Sequence, residues 1–154
     1  MAKSERKQIH WSILEIKETE FFVDDSAKPG QVNFGYQVVL DIKVAESLVS
    51  FSIIATYVNA TTNEVVLKSK SFTSFRIKNM ESFTKKDEKG QDAVDLPDEL
   101  WIALFSMAYS HARALLAKSA GPTIFKTLII PPINPESEFK KLFGQHIKDA
   151  AKLH

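Results

Sequence analysis

The 154-residue chain has no cysteine. Disulfides, thiolate metal sites, iron–sulfur clusters and thiol catalysis are excluded together. Glycine and proline are scarce, at 5 and 6 residues, which excludes a collagen-like or linker-like chain. Net charge is lacking as well. Lys and Arg number 20 against 19 Asp and Glu, leaving +1, so no concentrated cationic field awaits nucleic acid or an anionic membrane. No run reaches the roughly 20 apolar residues of a membrane span. The longest, between residues 100 and 117, is broken by Ser106, Ser110, His111 and Arg113. The polar, basic start Met1 to Gln8 precedes no apolar segment or cleavage site. A cytoplasmic protein is expected, with residues 1–7 as a disordered tail.

Chemical motifs are missing too. There is no GxGxxG, phosphate-binding loop or GxSxG. His10, His111, His146 and His154 do not pair at a helical metal-ligand spacing, so neither a metal nor another cofactor is expected. Ser110 and His111 are adjacent on a helix and face about 100° apart, so packing explains His111 better than catalysis. Glu136 and Glu138, two apart on a helix, read as a solvated face. No catalytic constellation remains, and no enzyme is expected.

What is present is apolar surface, with 11 phenylalanines, 2 tryptophans and 3 tyrosines. The first half alternates with period two. Ile9, Trp11 and Ile13 form one row, and Ile16 changes the parity, which a bulge near Leu14–Glu15 explains. Tyr36, Val38, Leu40, Ile42 and Val44 form a second row. Val49, Phe51, Ile53, Ala55 and Tyr57 form a third. Val65 and Leu67 open a fourth strand ending near Ile77. Short polar connections predict an antiparallel meander over 8–77. Phe72 and Phe75 differ in parity, so one points away from the main apolar side. Residues 78–94 read as a charged loop.

A helix is expected over 95–120, with Asp95 as its N-cap and Gly121-Pro122 as its stop. An extended connector spans 121–133 and is closed by Pro131-Pro132. Asn134-Pro135 starts a second helix over 134–151. The fold class is α+β: one domain, 1–154, in which a four-stranded antiparallel sheet carries a long helix and a shorter C-terminal helix on one face. This leaves more apolar surface than two helices cover, which predicts an oligomer interface or a groove. The expected groove lining is Phe72, Phe75, Trp101, Phe105, Phe125, Leu128 and Ile130. The sheet's opposite face offers Lys43, Lys68, Lys70 and Arg76.

The C-terminal third resembles the SecB family of export chaperones. Tyr109, Ala112 and Arg113 match a Tyr-x-x-Ala-Arg pattern on the family's long helix. Phe125, Leu128 and Ile130 match its Phe-x-x-Leu-x-Leu connector, and Pro132, Ile133 and Asn134 match the start of its second helix. Phe75-Arg76-Ile77 resembles the end of its fourth strand, and the likeness covers about residues 8 to 145. The resemblance implies a homotetramer built as a dimer of dimers. It also implies ATP-independent holding of unfolded client polypeptides in a hydrophobic groove, and delivery to the preprotein translocase motor, whose zinc tail docks on an acidic sheet face. Here that face carries Lys43, Lys68, Lys70 and Arg76, so weak motor docking is expected. A dedicated chaperone of one client, such as an antitoxin, fits that charge, and a scaffold or ligand-binding protein on the same fold is the other alternative.

Overall fold

The structure, a computed structural model, describes residues 8–28 and 30–151, with side chains throughout except at 92 and 145–151. The expected tail over 1–7 lies outside the described residues. Four long strands form one antiparallel sheet: β1 (Trp11–Val23), β2 (Val32–Lys43), β3 (Leu48–Asn59) and β4 (Val65–Ile77). Their order is β1-β4-β3-β2. Only β2, β3 and β4 form a meander. β1 pairs with β4 rather than with its sequence neighbour β2, a correction to the expected connectivity. The eight-residue connection from Asp24 to Gln31 carries the chain from one sheet edge to the other. It is anchored where the Asp24 N–H donates to the Val66 carbonyl at 2.9 Å.

β2 and β3 pair in unbroken register from Val32↔Asn59 to Lys43↔Leu48. β1 is interrupted twice, between Ile13 and Glu15 and between Glu18 and Glu20. The first interruption is the bulge that the parity change at Ile16 required. Each bulge turns the following side chains over, so Trp11, Ile13, Ile16, Glu18, Phe21 and Val23 all share one face.

Residues 78–94 are more ordered than expected. They form a 3-10 turn at Met80–Phe83 and a hairpin of β5 (Thr84–Lys86) and β6 (Asp92–Val94). The Asp87 carboxylate accepts from the N–H groups of Lys89 and Gln91 at 2.8 and 2.9 Å and closes the hairpin turn. α1 (Asp98–Ala120) starts later than predicted, with Pro97 at the cap position and no side-chain cap. Asp95 instead pairs with Lys85 at 3.4 Å. Asp98 and Glu99 put negative charge at the helix's positive dipole end.

α1 lies mainly over β4. By length and composition it passes for a membrane-crossing helix, but its Leu104, Phe105, Ala108, Ala112 and Leu116 are buried against the sheet and α2. The buried stripe of α1 runs through Trp101, Leu104, Phe105, Ala108, Tyr109, Ala112, Leu116 and Ala120. Two partners, the sheet on one side and α2 on the other, widen the arc that a helix must keep apolar. α2 (Pro135–Ala151) begins where Asn134 Oδ1 accepts from the Ser137 N–H at 3.1 Å, the predicted cap. Its Phe139 stacks on Trp101 with centroids 6.4 Å apart and meets Phe105 at 5.8 Å.

Candidate functional site

The five β3 residues Val49, Phe51, Ile53, Ala55 and Tyr57 are all buried under the helices. So are Leu67, Phe75 and Ile77 of β4. This removes most of the expected groove from solvent. Phe75 and Phe105 are fully buried, and Trp101, Phe125 and Ile130 nearly so. They belong to one continuous core. The surplus of aromatic residues is absorbed because the connector and α2 fold back over the sheet.

The remaining two expected lining residues separate. Leu128 is half-buried on the connector. Phe72 is half-buried on the opposite sheet face, beneath the Lys17 ammonium, 5.2 Å from its ring centroid. The seven residues therefore do not line one groove in this structure.

The connector is held by side-chain donors. The Tyr109 hydroxyl donates to the Pro131 carbonyl at 2.7 Å. Arg113 Nε donates to the Ile130 carbonyl at 2.9 Å. The Tyr57 hydroxyl donates to the Ile129 carbonyl. Three consecutive carbonyls that a strand ladder would otherwise satisfy are thus capped from α1 and β3. Tyr36 donates to Glu138, tying β2 to α2. Burial raises the Tyr57 phenol, and raises that of Tyr109 to about 12. These phenols are structural donors that stay protonated.

The uncovered apolar surface lies elsewhere, on β1. Trp11, Ile13, Leu14 and Ile16 are each about 40–50% exposed (38%, 42%, 49% and 43%). Trp11, Ile13 and Ile16 pair with Ile77, Phe75 and Thr73, and so lie on the helix side of the sheet, beside the core rather than beneath it. Trp11 reaches the core only by its edge, meeting Phe75 at 6.0 Å and 78°. β1 is an edge strand, so half of its backbone N–H and C=O groups face outward without a ladder partner.

Further along β1 the covering resumes. Glu18 accepts from Ser69 Oγ at 3.0 Å and from Ser119 Oγ at 2.6 Å, fastening the C-terminal part of α1 over this strand. Half-buried His111 of α1 faces the sheet, its Nδ1 3.1 Å from Thr73 Oγ1, and desolvation lowers its pKa. Sequence reasoning found the β1 row but did not count it among the groove residues. The signal it missed is positional: an apolar row on an edge strand is covered only as far as a helix reaches.

On the open face, register sets Lys43 on β2 and Lys68, Lys70 and Arg76 on β4, the two strands that flank β3. Lys68 pairs with Glu20 at 3.2 Å, and neighbouring Lys17 pairs with Glu15 at 2.9 Å. β1 thus adds carboxylates to a face that already holds Asp41 of β2 beside its cations. Lys43, Lys70 and Arg76 have no ion-pair partner among the described residues. Among those residues, no three His, Asp or Glu side chains are grouped as a metal site.

No protein-family model matches the chain, and no curated protein is significantly similar to it. Among solved structures it is similar to the Mycobacterium tuberculosis Rv1957 SecB-like chaperone in complex with a ChAD peptide from the Rv1956 HigA1 antitoxin. That likeness has 14% identity and a TM-score of 0.50, over 80% of this chain and 90% of that one. A protein of unknown function from Streptococcus agalactiae matches at 12% identity and a TM-score of 0.31, over 82% and 98% of the two chains, too loosely to argue from. The sheet ordered β1-β4-β3-β2 beneath two helices is therefore a SecB-like fold, and at 14% identity the likeness speaks to the fold alone.

Proposed function

We propose that the protein is an ATP-independent holding chaperone of the cytoplasm that binds extended, apolar segments of unfolded polypeptides. The observation that carries this reading is the contiguous exposed row Trp11, Ile13, Leu14 and Ile16 on an edge strand. An unfolded client offers two things that a folded protein hides, apolar side chains and unpaired backbone groups. The row accepts the first, and the outward-facing backbone of β1 accepts the second. Completing the burial of each half-exposed side chain contributes about 1 kcal/mol, so several contacts hold a segment while each alone exchanges quickly. The SecB-like neighbour was solved with an antitoxin peptide, which supports a peptide client for this chain.

A single dedicated client fits better than general export. Unpaired Lys43, Lys70 and Arg76 make the open sheet face a poor partner for a zinc-bearing motor tail, since like charges repel across a docking surface. For assembly we propose a homotetramer. Exposed Ala103, Ser110, Ala114 and Ala117 leave the middle of the outer side of α1, between exposed Glu99 and Lys118, uncharged and small, a surface on which a second helix can pack closely.

The test is light scattering from an aggregating, chemically unfolded client without ATP. The native chain should suppress the signal. Ile13→Ser/Ile16→Ser should lose most of that suppression with little change in melting temperature. Val39→Ser, which alters an exposed apolar residue on the opposite face, should keep it. Equal suppression by all three proteins would place the client surface elsewhere, and none by the native chain would end the chaperone reading.

A further inference from the structure

The end of the sheet where β1 starts and β4 stops holds a cleft that adjoins the surface just described at Trp11. Two contiguous cavities of about 600 and 490 Å³ share His10, Ser47, Lys78 and Asn79 in their walls. Arg76 and Ser12 line one of them, and Glu81 the other. The frame is rigid. The Lys78 N–H donates to the His10 carbonyl and the Ile77 N–H to the Ser47 carbonyl, both at 2.9 Å. Register pairs Ser12 with Arg76 at the end of β4, and Lys78 lies in the turn just after that strand, bonded to His10, so that both cations line the cleft beside Ser12 and His10.

Two observations set this cleft apart from the molecule's other turns. The first is conformational. Two of the three left-handed non-glycine residues among those described, Ser47 and Asn79, line it, at φ 56° and 58°, while the third, Asn63, lies in the β3–β4 turn. Non-glycine residues held there cost on the order of 1 kcal/mol each and tend to mark ligand clamps. The second concerns hydrogen bonding. Elsewhere the turn residues spend their side chains on local backbone: Asp24 on Ser26, Asn59 on Thr61 and Thr62, Asp87 on Lys89 and Gln91. Asn79 makes no such cap. The side chains of His10, Ser12, Ser47, Arg76 and Lys78 likewise have no partner among the described residues. A guanidinium, an ammonium, an amide, an imidazole and two hydroxyls converge with a single carboxylate, that of Glu81. Such a set is rich in donors and poor in acceptors.

We propose that this cleft is an oxyanion-binding site, in which Arg76 offers a planar two-pronged donor and Lys78 a point charge. The oxyanion is a carboxylate or a phosphate. The first would come from an acidic peptide and the second from free phosphate.

The test is isothermal titration of the full chain with inorganic phosphate, and separately with a hexaglutamate peptide, taking hexaglutamine as the control. At least one oxyanion probe should bind saturably, more weakly at roughly 0.5 M than at roughly 0.05 M salt. Binding should fall about tenfold or more in Arg76→Gln/Lys78→Gln, as expected on losing two charge-assisted contacts. Phosphate binding alone identifies a free anion as the source, and peptide binding alone identifies side-chain carboxylates. Both residues are exposed and have no partner among the described residues, so the melting curve of the variant should match the parent. If it does not, Arg76→Gln and Lys78→Gln singly give the same reading. The proposal is overturned if neither probe binds at roughly 10 mM, if hexaglutamine binds equally, or if the variants bind as the parent does.

Discussion

Tyr109 and Arg113 act on the connector through its backbone, and neither role could be read from periodicity. Both belong to the Tyr-x-x-Ala-Arg pattern, but a pattern gives no partner, and their acceptors lie 22 and 17 residues downstream. Tyr109→Phe strands the Pro131 carbonyl and should cost about 1–2 kcal/mol, read as a lower denaturant midpoint at unchanged slope. Desolvation is the largest cause of the raised Tyr109 pKa, so the folded state holds this proton more tightly than the unfolded chain, where the group titrates near 10. Its contribution is whole below pH 10 and is lost as pH climbs toward about 12. The variant should therefore show a shallower alkaline decline over that window. His111 has the opposite sign. Burial lowers its pKa, so the unfolded chain takes up the proton first, near 6.5. The associated stability is whole above that value and drains as pH falls through it and below. His111→Gln should flatten stability against pH in the acid limb, as followed by melting temperature. That residue was legible in the sequence as packing rather than catalysis, and its contact with Thr73 agrees.

At the scale of elements, the strands and helices were legible because each carries its own period and punctuation. The Asn134-Pro135 start of α2 is the plainest case, and Asn134→Ala should cost about 1 kcal/mol through the lost cap, measured by chemical denaturation. The parity change at Ile16 likewise marks a bulge in the sequence itself. Strand order was not legible. The connection from Asp24 to Gln31 can reach about 27 Å when extended, whereas the sheet from β1 to β2 spans three strand spacings, about 14 Å. Either edge of the β2-β3-β4 meander was therefore within reach, and local periodicity is silent on which edge β1 joins. The expected groove failed for a related reason. Phe75, Trp101, Phe105, Phe125 and Ile130 were counted as surplus because the connector and α2 were not known to fold back over β3. Once they do, those residues close a core, and the uncovered apolar row is Trp11, Ile13, Leu14 and Ile16.

For the whole molecule, an exposed edge strand with an apolar row is an aggregation hazard when left bare, as is an uncharged outer helix face. Light scattering coupled to gel filtration at micromolar concentration should return four times the 17.4 kDa chain mass. Ala114→Glu, a like charge brought to every copy of the outer α1 face, should lower that mass while leaving the helical signal intact. A monomer in the native chain would remove the assembly proposal and leave the fold untouched. The way the connector is fastened bears on how such a fold changes over evolutionary time. Tyr57, Tyr109 and Arg113 hold carbonyl oxygens, which every amino acid supplies alike. Mutations at exposed Ile129 or at Pro131 therefore leave the clasp intact, and drift is free there, while the three donors and the inward-facing Phe125 and Ile130 are constrained. Chains that keep only those few positions can preserve this architecture long after their overall identity has decayed.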